Sequence, residues 1–476
     1  MPTITTQQIT ALAPDTASIK AARALIKPNK WPILGNNDQG MWGECQGSGT
    51  KPYQVLVDRQ TLATKCSCPS RKFPCKHALA LLLMVSEQTA NFSVEPPSWF
   101  QEWYAKRIQK STHPASKATS NHSTEKSKGV TESTTKSAKT SKTNKTIKTR
   151  LTQMRSGAQE LDLWMRDLIR EGIADLPSRA ATLWRDIAAR MVDAKAPGLA
   201  RRIEDLATVL YALPEWPQHI LAGFGRIKLL IEALNQYEHL SESLQADVRV
   251  ALGWALNKEA ALAGEQIEDN WLVLGIVFEE NGPLVERRVW IYGLNSHRTA
   301  LIQEFAHGGR NFATNYLLGN CLQGTASFFP SATPQRIIFS DIAYVGSDSS
   351  LLDNSLLDSS LLDNSLSDSS SDNKFPINIT YTQQLEQISK AMAINPFIWR
   401  MPIGISNLRL AHNETTWNFV DTQNLLIRYQ LSEQHIWHIL AITGGIIPYM
   451  FGEWKTGIWY PISVKSSTNE WLDLTI

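Results

Sequence analysis

"KCSCPSRKFPCKHALALLL", Lys65 to Leu83, sets three cysteines and a histidine within a dozen residues and follows them with an unbroken apolar run. Three readings compete for it: a metal site, a redox site, or a stretch of core that contains sulfur. Cys66 and Cys68 are one residue apart, Cys75 and His77 are one residue apart, and six residues separate the pairs, giving C-x-C-x6-C-x-H. On a strand or knuckle, residues i and i+2 point the same way, so Cys66 and Cys68 can reach one ion. Cys75 falls at the start of the apolar helix that follows, where the backbone dipole favours a thiolate, and His77 projects from its first turn. Three sulfurs and an imidazole make the closed tetrahedral shell of structural zinc, Zn2+, with no position left for water. C-x-x-C is absent and no βαβ pattern surrounds the site, which sets the redox reading aside. Buried free cysteines beside a hydrogen-bonded histidine are the plainer alternative, and four ligand-type residues at this spacing make it a poor account.

Outward from the knuckle, "MWGECQGSGTKPYQVLVD" (Met41 to Asp58) reads as two short strands joined by a Gly-Ser-Gly turn, with a second turn leading to "TKCSC". After the loop, "KHALALLLMVSEQ" is a helix apolar on every side, which must then be packed on every side. The local order is strand, strand, knuckle, helix. Lys65, Arg71, Lys72 and Lys76 surround the thiolates and offset their charge. Together with Arg59 they are also the candidate phosphate contacts if the protein binds nucleic acid. Cys45, on the first strand, could be a spare ligand or redox partner, but with the shell complete it reads better as a small buried apolar group. Only five cysteines are present, and neither Cys45 nor Cys321 has an obvious disulfide partner, as expected for a reducing intracellular compartment.

A length of 476 residues, 43% of them hydrophobic, suits two or three domains with substantial cores. The predicted class is α+β and multidomain: a small N-terminal ββα-type finger, a central helical domain and a C-terminal antiparallel β-rich domain. The first unit spans 1–110, with the finger at about 53–85. Residues 111–150 are almost pure Ser, Thr and Lys and read as a disordered basic linker. Residues 151–265 carry helical periodicity in segments such as "ELDLWMRDLIREGIADL" and "APGLARRIEDLATVLYAL". From 266 to 476 the period shortens, and "WLVLGIVFEE", "LVERRVWIYGL", "RTALIQEFAH", "CLQGTASFF", "QRIIFSDIAYV", "WNFVDTQN" and "IWHILAITG" read as strands, with a helix near Thr382 to Met392. An insert at 347–374 contains "SSLLDNSLLDSSLLDNSLSDSSSDN", a repeat on a five-residue unit. It lacks the paired glycines of a calcium-binding roll and is read as a duplicated acidic loop. The net charge of +2 averages a basic N-terminal third with a more acidic remainder. No secretory signal is evident, and the longest apolar run, Ala78 to Val85, is far below the ~20 residues that span a bilayer. The expected location is the cytoplasm.

"CSCPSRKFPCKH", preceded by "YQVLVD" and followed by an apolar helix, is similar to a SWIM zinc finger. This small ββα-type module occurs in bacterial proteins, Mutator-type transposases and some chromatin-remodelling ATPases. "ALAPDTASIKAA", "WGECQGSGTKPYQV", "RMVDAKAPGLARR", "WLVLGIVFEE" and "EFAHGGRNF" also resemble the bacterial SWIM zinc finger family along most of its length. The resemblance implies zinc held by Cys66, Cys68, Cys75 and His77, and contact with DNA or with other proteins. It further implies a partner in a MoxR-type AAA+ ATPase or a von Willebrand factor A protein, in a chaperone or metal-insertion system. The Ser/Thr/Lys linker and the five-residue repeat depart from the family pattern.

Common catalytic signatures fail: there is no G-x-x-x-x-G-K-[ST], no H-E-x-x-H and no G-x-S-x-G. "GFGRIK" at Gly223 and "HGGR" at His307 read as turns. His435 and His438, three apart on an expected strand, would face opposite sides and make no second metal site. Of the sixteen tryptophans, Trp271, Trp290, Trp417, Trp437, Trp454 and Trp459 fall in the β-rich part; strand positions favour buried anchors over stacking platforms for bases or sugars. The expected function is a non-enzymatic zinc-finger protein that docks protein partners. A DNA-binding role through the basic finger surface and linker is the alternative, and an enzyme without a recognised motif is the third.

Overall fold

The computed structural model describes residues 4, 6–47, 49–70, 72–112, 135–178, 182–212, 216–310, 312–346, 380–413, 416–468 and 470–475. Two short helices, α1 (Thr6–Ala11) and α2 (Thr16–Arg23), come first. Then β1 (Ile33–Asn36), β2 (Gly40–Cys45), β3 (Tyr53–Asp58) and β4 (Thr64–Cys66) form an antiparallel meander in chain order. This is two strands more than the sequence suggests, because β1 and β4, at four and three residues, are too short for alternation to register. The period of two splits the sheet into two apolar faces. Met41, Cys45, Val55 and Val57 meet α3 (Lys76–Ser86), which α1 and α2 cover from the other side. Every residue from His77 to Met84 is therefore buried, as an all-apolar helix requires. Trp42 and Leu56 meet α4 (Ser98–Thr112), where Phe100 lies 4.8 Å from the Trp42 ring.

The expected disordered linker is corrected at both ends. Ser111 and Thr112 complete α4, and the part from Thr135 is the beginning of the long helix α5 (Thr135–Glu171). Residues 135–150 contain neither Pro nor Gly, so nothing in the backbone stops a helix that Leu151, Met154 and Ala158 anchor to a core further on. The rest of the linker, 113–134, lies outside the described residues, as does the repeat insert at 347–374.

With α5, the helices α6 (Thr182–Asp193), α7 (Pro197–Ala212), α8 (Trp216–Asn235) and α9 (Glu242–Ala251) enclose a core that includes Leu161, Ile203, Ile227 and Leu234. "GFGRIK" is no turn: Gly223 lies inside α8, where its missing side chain makes room for Leu206 of α7.

After α10 (Lys258–Leu262) come β5 (Gln266–Asn281), β6 (Leu284–Gly293), β7 (Thr299–His307), β8 (Cys321–Phe328) and β9 (Arg336–Gly346). They close a barrel in the order β5-β6-β7-β9-β8, its one parallel seam pairing Leu301 and Ile302 with Arg336 and Ile337. The expected helix near Thr382 is α11 (Tyr381–Ile394). Then β10 (Met401–Asn413), β11 (Thr416–Val420), β12 (Leu426–Ile427), the helix α12 (Glu433–Thr443), β13 (Ile446–Lys455), β14 (Ile458–Lys465) and β15 (Trp471–Asp473) follow. The strands form an antiparallel sheet in the order β12-β11-β10-β13-β14-β15. The strand expected at "IWHILAITG" is thus mostly helix: Ser432 caps it by accepting from His435 N, and Gly444, at φ 62°, ends it. Trp271, Trp290 and Trp459 are fully buried anchors, whereas Trp437 is 54% exposed.

The barrel and sheet share a core in which Leu272, Leu274 and Trp290 meet Tyr449, Phe451 and Ile462. Among the described residues, no helix is long and apolar enough to cross a membrane.

Candidate metal centre

Cys66 ends β4 opposite Val55 of β3, and the ladder is extended past it: Ser67 N–H donates to Gln54 O (3.0 Å) and Gln54 N–H to Ser67 Oγ (2.9 Å). That pins the knuckle, so Cys66 and Cys68 present their sulfurs to one side. Cys75 is the N-cap residue of α3, extended at φ −74° and ψ 164°, with its carbonyl already accepting from Leu79 N–H. His77, in the first turn of α3, is buried, and its ring lies 5.0 Å from that of Tyr53. Its Nδ1 stands 3.8 Å from Cys66 Sγ and 4.0 Å from Cys75 Sγ. One ligand atom from each of the four residues lies within 4.8 Å of all the others.

Tetrahedral zinc, with Zn–S of about 2.3 Å and Zn–N of about 2.0–2.1 Å, places its ligand atoms roughly 3.5–3.8 Å apart. The cluster therefore fits the ion with adjustments of about 1 Å or less. Its electrostatics fit as well. The hydrogen bond from Cys66, with help from His77 and the Ala78 N–H and against the effect of burial, holds the Cys75 thiol down to about 4. The same bond, together with burial, pushes Cys66 up, and burial pushes Cys68 up. A cation bound among the three sulfurs would favour their thiolate forms and offset the cost of burying them. Among the described residues this is the sole Cys, His, Asp and Glu grouping placed to hold a metal.

Cys45 is fully buried in the core behind α3, where burial pushes its thiol up to about 11, so it packs as a small apolar group. His435 and His438 both lie on α12, which removes the strand argument, yet they do not join a ligand cluster.

The basic residues do not form one free surface. Lys72 pairs with Asp15 at 2.6 Å, and Asp15 also caps α2 by accepting from Ser18 N–H at 2.7 Å. The Lys72 hydrogen bond holds the Asp15 carboxyl down to about 2. Arg59 is half-buried and donates to Asn36 Oδ1, a bond that braces β1 against the end of β3. Lys65 and Lys76 are exposed, and Arg71 lies outside the described residues. The role of Asp15 was missed in the sequence, although an Asp directly before "TASIKAA" is a helix-start signal.

The finger is clamped to the β-rich domain. In the loop after β3, Thr61 O accepts from Asn315 N–H (2.9 Å) and Leu62 O from Asn315 Nδ2 (2.6 Å). Arg107 of α4 donates to Asp58 Oδ2 (2.6 Å), Thr61 Oγ1 (2.7 Å) and Ala313 O (2.8 Å). No sequence signal points to this clamp.

Residues 53–86 match the model of the SWIM zinc finger, and residues 149–252 match that of the SWIM-associated four-helix bundle domain. No curated protein and no solved structure gives a significant match. The first match covers β3, β4 and α3 with the four clustered residues, the second covers the helices from α5 to α9, and the chain accordingly carries a zinc-binding finger of the SWIM type and the helical domain associated with it.

Proposed function

We propose that this is a non-enzymatic docking protein, acting in the cytoplasm, in which zinc fixes the finger so that it and the β-rich domain present one rigid surface to a protein partner. The observation that carries this reading is the closed Cys3His shell. A zinc held by Cys66, Cys68, Cys75 and His77 keeps no open position for substrate or water, so its work is structural. The resemblance names a MoxR-type AAA+ ATPase or a von Willebrand factor A protein as the first partners to try.

The second reading, a DNA-binding protein, rests on exposed Lys65 and Lys76 and on the lysine-rich stretch 111–150. It is the weaker one, because Lys72 is already paired with Asp15 and Arg59 already donates to Asn36. The test is surface plasmon resonance with the immobilised, zinc-loaded full chain, against a purified MoxR-type ATPase, a von Willebrand factor A protein and duplex DNA at several salt concentrations. Saturable binding of either protein that persists in salt is the expected result. DNA binding that falls steeply with salt, without either protein binding, would replace the docking reading.

A further inference from the structure

A cavity of about 420 Å³ lies where the barrel, α11 and the C-terminal sheet meet, well away from the finger. Its size is within the range of small-molecule sites. Three buried aromatic side chains belong to its wall: Tyr292 of β6, and Tyr449 and Phe451 of β13. Gly404 of β10 is what allows Tyr449 to reach inward, since a Cβ at that position would overlap the Tyr449 hydroxyl.

The polar part of the wall is unusual in carrying no charge. None of the described residues lining the cavity is Asp, Glu, Lys or Arg. His297 lends its Nδ1 to the Tyr292 hydroxyl at 2.9 Å. A phosphate, carboxylate or ammonium would leave water here without a counter-charge, at a cost that a small site does not recover.

Gln384 of α11 is the telling residue. It is only 6% exposed, and among the described residues no group hydrogen-bonds its side-chain amide, which faces the cavity. Neither polar atom of that amide is sealed off from solvent, so both its donor and its acceptor stay open to whatever enters the cavity. Gln335 adds a second incompletely used amide: its Nε2 donates to the weak acceptor Met401 Sδ at 2.9 Å, and its carbonyl oxygen is left over. An amide offers one donor and one acceptor side by side. This is the pairing by which Gln reads the edge of a nucleobase, while aromatic side chains stack on its faces.

We infer that this cavity binds an uncharged planar nitrogen heterocycle with an adjacent donor and acceptor on one edge, a nucleobase or its nucleoside, with Gln384 reading that edge between the aromatic walls. The test uses the zinc-loaded full chain and four probes, adenosine, guanosine, cytidine and uridine, each titrated by isothermal calorimetry and checked by saturation-transfer NMR. At least one nucleoside is expected to bind saturably, and Gln384→Leu, of similar volume, is expected to weaken it tenfold or more. That variant should also keep or raise the Tm, since the amide it removes has no protein partner. Failure of all four to bind at millimolar concentration, binding that Gln384→Leu leaves unchanged, or a marked loss of Tm in that variant would each overturn the inference.

Discussion

His77 is a buried polar side chain in a helix whose other inward residues are apolar, and its nitrogen looks onto two sulfurs. Such a group is compensated in the interior only through what that nitrogen binds. A structural zinc supplies on the order of 10 kcal/mol to a finger, comparable with or larger than the whole stability of many single domains. Cys75→Ser and His77→Ala are therefore expected to reduce zinc from one per chain to none, measured by inductively coupled plasma mass spectrometry. Amide exchange should rise across 53–86 and remain slow in 149–252; full zinc content in either variant would refute the ligand assignment. Cys45→Ala is the matching control. Because Cys45 is a core thiol behind the site, its loss should leave zinc content unchanged and cost on the order of 1 kcal/mol of stability by denaturant melt. Loss of zinc from that variant would make Cys45 part of the site.

At the scale of elements, "APGLARR" shows what one glycine permits. Gly198, in the first turn of α7, donates to Leu252 O at 3.1 Å, and a Cβ there would overlap the Ala251 carbonyl oxygen. The obstacle is backbone at the end of α9, which cannot swing away as a side-chain tip could. Gly198→Ala should thus destabilise the bundle by about 3 kcal/mol through overpacking, although alanine is the better helix former by about 1 kcal/mol. A Tm equal to or above that of the parent would show that the two helices separate freely. The finger's ligand set was legible in the sequence because its geometry is local, with i and i+2 on a knuckle and i and i+2 at a helix start. The helices from α5 to α9 were legible by period, except where Gly223 imitated a turn while serving as a packing surface for Leu206. α12 was misread because "IWHILAI" is rich in residues that suit a strand, and the decision lay in flanking residues, the Ser432 cap and the Gly444 stop. The clamp of Arg107 on Asp58 and Ala313 joins segments far apart in the chain, and nothing local encodes it.

Across the whole molecule, a cluster of three arginines and three glutamates ties the bundle to both parts of the β-rich domain. Arg201 of α7 pairs with Glu279 (2.9 Å) and Glu286 (3.2 Å), Arg288 with Glu279 (2.8 Å) and Glu453 (2.9 Å), and Arg400 with Glu279 (3.3 Å). Trp290 Nε1 also donates to Glu453 at 2.8 Å, so the cluster is hydrogen-bonded as well as charge-balanced. Burial raises the Glu279 carboxyl, but Arg288, Arg400 and Arg201 outweigh it and hold the group down to about 2, from an ordinary 4.5. Glu286 is lowered too, with burial again opposed by Arg288 and Arg201. A carboxyl whose folded pKa lies below its unfolded one stabilises the fold at higher pH, and that contribution fades as pH falls from about 4.5 towards 2. The junction should accordingly be acid-labile. Tm measured between about pH 6 and pH 3 is expected to drop more steeply for the parent chain than for Glu279→Gln, which starts lower at neutral pH because three arginines have lost their shared partner. Parallel curves for the two proteins would show that Glu279 keeps the same pKa folded and unfolded, and that it is not the source of the acid lability.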